Sequence, residues 1–185
     1  FSKPNFRNFI DAFKEWETIQ YGVTYLDMTW NSTWMSVGGT TITTMSTAMV
    51  CYILVYYRNG FTKFLYKLGL FLTILPIYGS TAPMYRLYDQ IGFVNNPLNM
   101  ITGITLYGGY FFYMYAFYKA ISWEYAEAAF IDGAGHYTVF FRIIFPMVVP
   151  SMMALYVMSF IGNWNGYESI LLYMRDYPNL SYGIY

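Results

Sequence analysis

Charge is what this sequence has least of. Only 11% of its 185 residues are Asp, Glu, Lys or Arg, where soluble domains carry about 25%. The formal net charge is zero, so nothing in the balance suggests a nucleic-acid partner. There is one cysteine, Cys51, so no disulfide can form within the chain, and the expected role of Cys51 is a small buried apolar side chain. There is one histidine, His136, with no Cys or His at metal-ligand spacing. That leaves no candidate metal site and places His136 as a loop residue. No G-x-x-x-x-G-K-[ST] run occurs, so the chain has no phosphate-cradling loop. Gly133-x-Gly135 lacks a third glycine and lies in no βαβ unit. No Ser/His/Asp set is readable, so no catalytic residue is assigned. The chain is expected to bind no cofactor of its own.

What is present in excess is apolar surface. The composition is 57% hydrophobic and 23% aromatic, more than a soluble fold of this size can hide. Four windows, 28–57, 68–85, 90–118 and 143–167, contain no Asp, Glu, Lys or Arg. A spanning helix needs about 20 mostly apolar residues, and each window qualifies, the second narrowly. The expected spans are 34–57, 64–85, 98–118 and 145–170. The first is rich in Thr, Ser and Gly, which favour close helix approach and interhelical hydrogen bonds. The second carries Pro76 and Pro83, which predict a bend or break facing the protein interior. The sequence begins at Phe1 and ends at Tyr185 without a closing apolar span. It is therefore expected to be a fragment lacking at least one flanking span on each side.

Loop charges set the orientation. The 57–67 hairpin carries Arg58, Lys63 and Lys67 with no acid, and excess Lys/Arg marks the cytoplasmic side. Loops 57–67 and 119–142 are then cytoplasmic, and residues 1–27 and Arg175–Asp176 lie outside. Residues 1–30 form an extracytoplasmic segment. Within it Phe6, Phe9, Ile10 and Phe13 follow the spacing of one helical face, the mark of an amphipathic helix. Trp30, Trp34, Tyr56, Tyr57, Tyr118 and Trp123 stand near window ends, as interfacial belts require.

Residues 119–146 are not a plain loop. Ser122 is placed to cap a helix with Glu124 in its first turn, and Ala126, Ala128 and Ala129 propagate it. Asp132-Gly133 breaks it, since Gly admits backbone that other residues resist. A second amphipathic helix is expected from about Gly135 to Phe145, running into Pro146. The whole reads as a helix–turn–helix at the inner membrane face.

Here the sequence resembles a known family. Glu127-Ala128-Ala129, then Asp132-Gly133-Ala134, then Ile143 and Pro146 are similar to the EAA loop of ABC importer permeases. That pattern is E-A-A, three residues, G, nine residues, I, one residue, L-P. Gly133 and Ile143 fall at the matching distances, and Phe145 replaces the usual Leu. Ile121 to Asp132 resembles the oligosaccharide or maltose-type permeases, with Ser122 where these often have Pro. Asn163-Trp164-Asn165 resembles their W-N stretch, and Asn31-Ser32 also fits. The likeness covers residues 31–185, an ABC permease transmembrane domain with its coupling loop at 119–146.

The resemblance implies an all-α, polytopic helical bundle in the bacterial plasma (inner) membrane, with a cytoplasmic EAA helix–turn–helix. It implies that the EAA helix enters a groove of a separate ATPase subunit, which uses ATP and Mg. Ala128 and Ala129 would allow close approach, and Glu127 would offer a charged contact to the ATPase or to Arg142. The further partners implied are a second permease subunit in a heterodimer and an extracytoplasmic substrate-binding protein, with a carbohydrate as cargo. Pro76, Tyr78, Asn163, Trp164 and Asn165 are the candidates for the substrate pathway. An importer for another solute, such as an amino acid or phosphate, would share the EAA loop. A channel or structural subunit without an ATPase leaves 119–146 unexplained. A membrane-embedded enzyme lacks the clustered ionisable groups it would need.

Overall fold

The computed structural model describes residues 7, 10, 23–57, 59–74, 79–105 and 107–184. Among these residues every regular element is helical and no strand occurs. The elements are α1 (Tyr25–Tyr56), α2 (Gly60–Ile74), α3 (Thr81–Gln90), a 3-10 turn (Pro97–Gly103), α4 (Phe111–Ala120), α5 (Glu124–Ile131), α6 (His136–Asn165), α7 (Glu168–Tyr173) and α8 (Leu180–Ile184). Of the amphipathic helix expected near the N-terminus only Arg7 and Ile10 are described, both helical and exposed. Phe6, Phe9 and Phe13 lie outside the described residues.

α1 begins earlier than the apolar window suggests. Thr24 closes its first turn by donating twice to Asp27. The Thr24 N–H donates to Asp27 Oδ2 at 3.1 Å, and the Thr24 hydroxyl donates to the same carboxylate. Along α1 the polarity pattern of a soluble helix is inverted. Ser32, Ser36, Thr40, Thr44 and Thr47 are buried, while Leu26, Trp30, Val37, Met49 and Ile53 are exposed. Hydroxyls inside and hydrocarbon outside is the arrangement lipid favours, and it matches the close packing expected of this stretch. α1 and α6, of 32 and 30 residues, are the described helices long and apolar enough to cross a membrane.

The other two expected spans are not continuous helices. α2 starts at Gly60 rather than Phe64, because Asn59 caps it: Asn59 Oδ1 accepts from the Thr62 N–H at 2.9 Å. Lys63 and Lys67 therefore stand on α2, not in a loop. α2 ends at Ile74, just short of Pro76. Residues 75–78 lie outside the described residues. Pro83 falls in the first turn of α3, where a missing N–H costs no helical bond, so it does not kink a span. The expected helix 98–118 is replaced by the 3-10 turn and the ten-residue α4. Gly103 ends the 3-10 turn and Gly108 and Gly109 lie between it and α4, and glycine inside a helix is unfavourable. A Cβ at Gly108 would lie 2.6 Å from Thr47 Oγ1, so this irregular stretch runs directly against α1.

The chain divides into two compact units. One comprises residues 1–39, 81–100 and 161–185, and polar bonds tie its short segments. Buried Asn31 donates to the Pro178 carbonyl at 3.1 Å and accepts from Trp34 Nε1 at 3.0 Å. Ser32 Oγ accepts from the Leu180 N–H at 2.8 Å. Asn179 donates to the Gly166 carbonyl at 2.8 Å. The Ser181 hydroxyl donates to the Trp164 carbonyl at 2.9 Å. Side chains thus satisfy backbone that no helix satisfies, as lipid surroundings demand.

The other unit comprises residues 40–80 and 101–160. Its core joins Ala48, Cys51, Tyr52 and Val55 of α1 to Phe111, Met114 and Tyr118 of α4, with Ala126, Ala129, Val139, Phe140 and Ile144. Cys51 is buried and free, as expected, with its thiol on the Phe111 carbonyl at 3.6 Å. Tyr118 is 0% exposed, so it belongs to this core and not to an interfacial belt. Trp30, 68% exposed, remains suited to one.

Candidate coupling site

The site is built on α5 and the turn after it. α4 ends where Ile121 turns extended (φ −81°, ψ 128°). Ser122 Oγ then accepts from the Glu124 N–H at 3.3 Å, and α5 runs eight residues with Glu124 and Glu127 in its first turn. Acids there face the positive helix end. α5 stops as its sequence predicts. Gly133 has φ +83°, a conformation that L side chains resist. The Gly133 N–H donates to Phe130 O at 3.0 Å and the Ala134 N–H to Ala129 O at 2.9 Å. These paired bonds satisfy the last carbonyls and are the signature of a glycine-terminated helix.

The second helix differs from expectation. It does not end at Pro146 but continues as α6 to Asn165. Residues Val139–Ile144 form a π turn, with the Phe145 N–H on Phe140 O. This wider turn lies directly before Pro146, the residue that brings no N–H to the ladder. Pro150 is also carried inside the helix. Turn and spanning helix are therefore one rod, with the 139–144 stretch packed against α5.

Burial separates the EAA residues. Ala129 and Ala126 are buried in the chain's own core, whereas Glu127, Ala128 and Asp132 are exposed. Ala134 and Ile143 are half-buried, and Gly133 and Pro146 are exposed. Glu127 and Arg142 are both exposed, and among the described residues no ion pair joins them. The outward face is completed by large apolar side chains: Ile131 is 81% exposed and Tyr137 82%. Glu124, Ala128 and Ile131 follow i, i+4, i+7 spacing and so share one stripe.

His136 is not a free loop residue. Its Nδ1 lies 2.6 Å from Tyr57 Oη, and its ring packs on Tyr57 and Phe130. Trp123 packs between Tyr56 and Phe130. Periodicity gave no sign of these contacts, since Tyr56, Tyr57 and Trp123 look like belt residues until the loop folds onto α1. An apolar cavity of about 490 Å³ opens beside this cluster, lined by Met49, Ile53, Tyr137 and Phe141 among others.

The candidate pathway residues are only partly placed. Pro76 and Tyr78 lie outside the described residues. Asn163 and Asn165 are exposed near the end of α6, and Trp164 is half-buried. Asn165 Nδ2 donates to Ile161 O of its own helix at 2.9 Å. A Cβ at Gly39 would lie 3.7 Å from Asn163 Nδ2, so α1 passes close to this amide.

The profile of the family described as "binding-protein-dependent transport system inner membrane component" matches residues 29–179. Among curated relatives, the diacetylchitobiose uptake system permease protein NgcG of Streptomyces coelicolor is 26% identical over 167 residues, covering 89% of this chain and 54% of the relative. The arabinooligosaccharides transport system permease protein AraQ of Halalkalibacterium halodurans is 28% identical over 152 residues, 80% of this chain and 54% of the relative. The sn-glycerol-3-phosphate transport system permease protein UgpE of Yersinia enterocolitica is 31% identical over 146 residues, 77% of this chain and 49% of the relative. The chain spans about half the length of the curated relatives it matches. The crystal structure of a bacterial ABC transporter involved in the import of the acidic polysaccharide alginate shares the fold, with a TM-score of 0.77 at 18% identity over 92% of this chain and 60% of that one. With the profile covering most of its length, the chain belongs to the family of binding-protein-dependent transport system inner membrane components.

Proposed function

We propose that this chain is a permease subunit of an ATP-driven importer, that its α5 face receives a separate ATPase, and that its cargo is an oligosaccharide. The carrying observation is the exposed stripe of α5. Glu124, Glu127, Ala128 and Ile131 are left uncovered by the chain's own core, while Gly133 fixes where the helix stops. A small residue amid acids and one large apolar side chain suits a groove in a soluble partner. Ala129, turned to the core, supports α5 from beneath. Hydrolysis of ATP, with Mg, belongs to that partner. A second permease subunit and an extracytoplasmic binding protein complete the assembly, with 57–67 and 119–142 on the cytoplasmic side.

The cargo reading leans on relatives named for diacetylchitobiose and arabinooligosaccharides. A phosphorylated small solute is the second reading, since a relative at 31% identity is named for sn-glycerol-3-phosphate transport. For the route, Pro76, Tyr78, Asn163, Trp164 and Asn165 remain the proposed lining. The test is purification of the intact transporter. An ATPase should co-purify with the wild type and be lost with Glu127→Lys, and the ligand held by the associated binding protein should be a short saccharide. Retention of the ATPase by Glu127→Lys would contradict the docking face, and a phosphorylated ligand would favour the second cargo.

A further inference from the structure

Six rings close a circuit around the coupling loop. Going round it, ring centroids lie 5.1 Å apart for Tyr52–Tyr56, 5.2 Å for Tyr56–Trp123 and 6.0 Å for Trp123–Phe130. They lie 5.0 Å apart for Phe130–His136, 5.6 Å for His136–Tyr57 and 6.1 Å for Tyr57–Tyr52, where the circuit closes. Three of the rings stand at the end of α1. The other three bracket α5: Trp123 just precedes it, Phe130 is in its last turn, and His136 follows the Gly133 turn. One polar contact locks the circuit, the 2.6 Å approach of Tyr57 Oη and His136 Nδ1. Tyr57 is itself held, because its carbonyl accepts from the Thr62 hydroxyl at the capped start of α2.

The buried side chains of α5 are Ala126 and Ala129, which offer small contact areas, and its one ring packed on the core is Phe130. A fully buried aromatic side chain covers about 150–250 Å², so even the half-buried Phe130 and Tyr56 rings cover more area than an alanine methyl. The rings of the circuit pin α5 at both ends to α1, one of the helices long enough to cross the membrane. A push on the exposed stripe of α5 therefore has an aromatic route to α1 beside the one through the buried alanines.

We infer that this circuit is the joint that keeps α5 in register with the end of α1, and that the Tyr57–His136 hydrogen bond is its positioning latch. The inference rests on the reading of α5 as the ATPase-contacting helix. Tyr57 and His136 act through α5; neither meets substrate.

The test is uptake per ATP hydrolysed, with the intact transporter, its ATPase and its binding protein in proteoliposomes. Tyr57→Phe and His136→Phe keep a ring and remove one side of the latch. Each should lower uptake per ATP by about two- to tenfold, the range set by one net hydrogen bond. The double variant should be no worse than either single, because both remove the same bond. Unchanged uptake per ATP in both single variants, or losses that multiply in the double, would overturn the latch. ATP-driven uptake by the wild type is read first. Its absence removes the transporter reading and the joint together, whereas its presence with unchanged variants removes the joint alone.

Discussion

At the scale of single residues, Gly133 and Glu127 have separable roles, and their variants should differ in kind. Gly133 sits at φ +83°, and a side chain there costs about 1–2 kcal/mol. Gly133→Ala should lower the unfolding temperature of the detergent-purified protein by a few degrees. Gly133→Pro should do more, since it cannot reach that φ and also removes the N–H that Phe130 O accepts. Glu127 is exposed and lends α5 only the attraction of an acid to the positive helix end, about 0.3–1 kcal/mol, so Glu127→Lys should cost stability on the order of 1 kcal/mol. Its main effect should appear as a loss of substrate-stimulated ATP hydrolysis and of uptake. A marked fall in stability for Glu127→Lys would mean that the acid serves the fold. The Gly133 turn was legible in the sequence because an Asp-Gly pair after a run of alanines has one economical reading. The inward turn of Ala129 was not, because two adjacent alanines carry no directional signal. Nor was the burial of Tyr118, since an aromatic at a window's end looks the same beside lipid and beside protein.

At the scale of elements, hydropathy reports what surrounds a segment and not whether its backbone is continuous. Residues 98–118 carry no charge and still do not make one helix. Their glycines break it, and protein contacts such as that of Gly108 with Thr47 take up the irregular backbone. The reverse holds at Pro146, where a proline sits inside a continuous helix that a π turn accommodates. Threonine at 24 and asparagine at 59 carried signals that could have placed two helix starts, since each precedes by three a side chain able to close the cap. The same logic makes Asn31 informative. It bonds the Pro178 carbonyl and the Trp34 indole at once, and Asn31→Leu would strand both. A buried polar group left unpaired costs about 1–3 kcal/mol. The 174–180 stretch should then open more often and be cut faster by protease added from the side it faces, while cleavage elsewhere is unaffected. Equal cleavage rates in wild type and Asn31→Leu would show that this bond does not hold the segment.

At the scale of the whole molecule, a helical membrane protein that moves a polar solute must offer a wet route through an apolar slab. The proposed route passes the end of α6, where Asn163 and Asn165 are exposed and Trp164 is half-buried. Two explanations compete for these amides. They line the path, or they bond neighbouring helices, a contribution averaging about 0.6 kcal/mol each. The Asn165 amide already finds an acceptor in its own helix, so it does not need a neighbour, which favours the path. Asn163 lies near α1 at Gly39, which suits either. Within residues 1–185 the background is clean, because the single cysteine there, Cys51, is buried in the core. Cysteine placed at 163, 164 or 165 should add labelling by a membrane-impermeant thiol reagent over the wild-type level. Positions 163 and 165 should react fastest, in line with their exposure. Adding the transported solute should slow labelling at these positions if they line the path, and leave it unchanged if the amides merely face water. No labelling at any of the three in either the resting or the ATP-bound state would leave only the packing role. The uncharged end of α6 would then have to be read as a helix contact, and the route sought elsewhere in the chain.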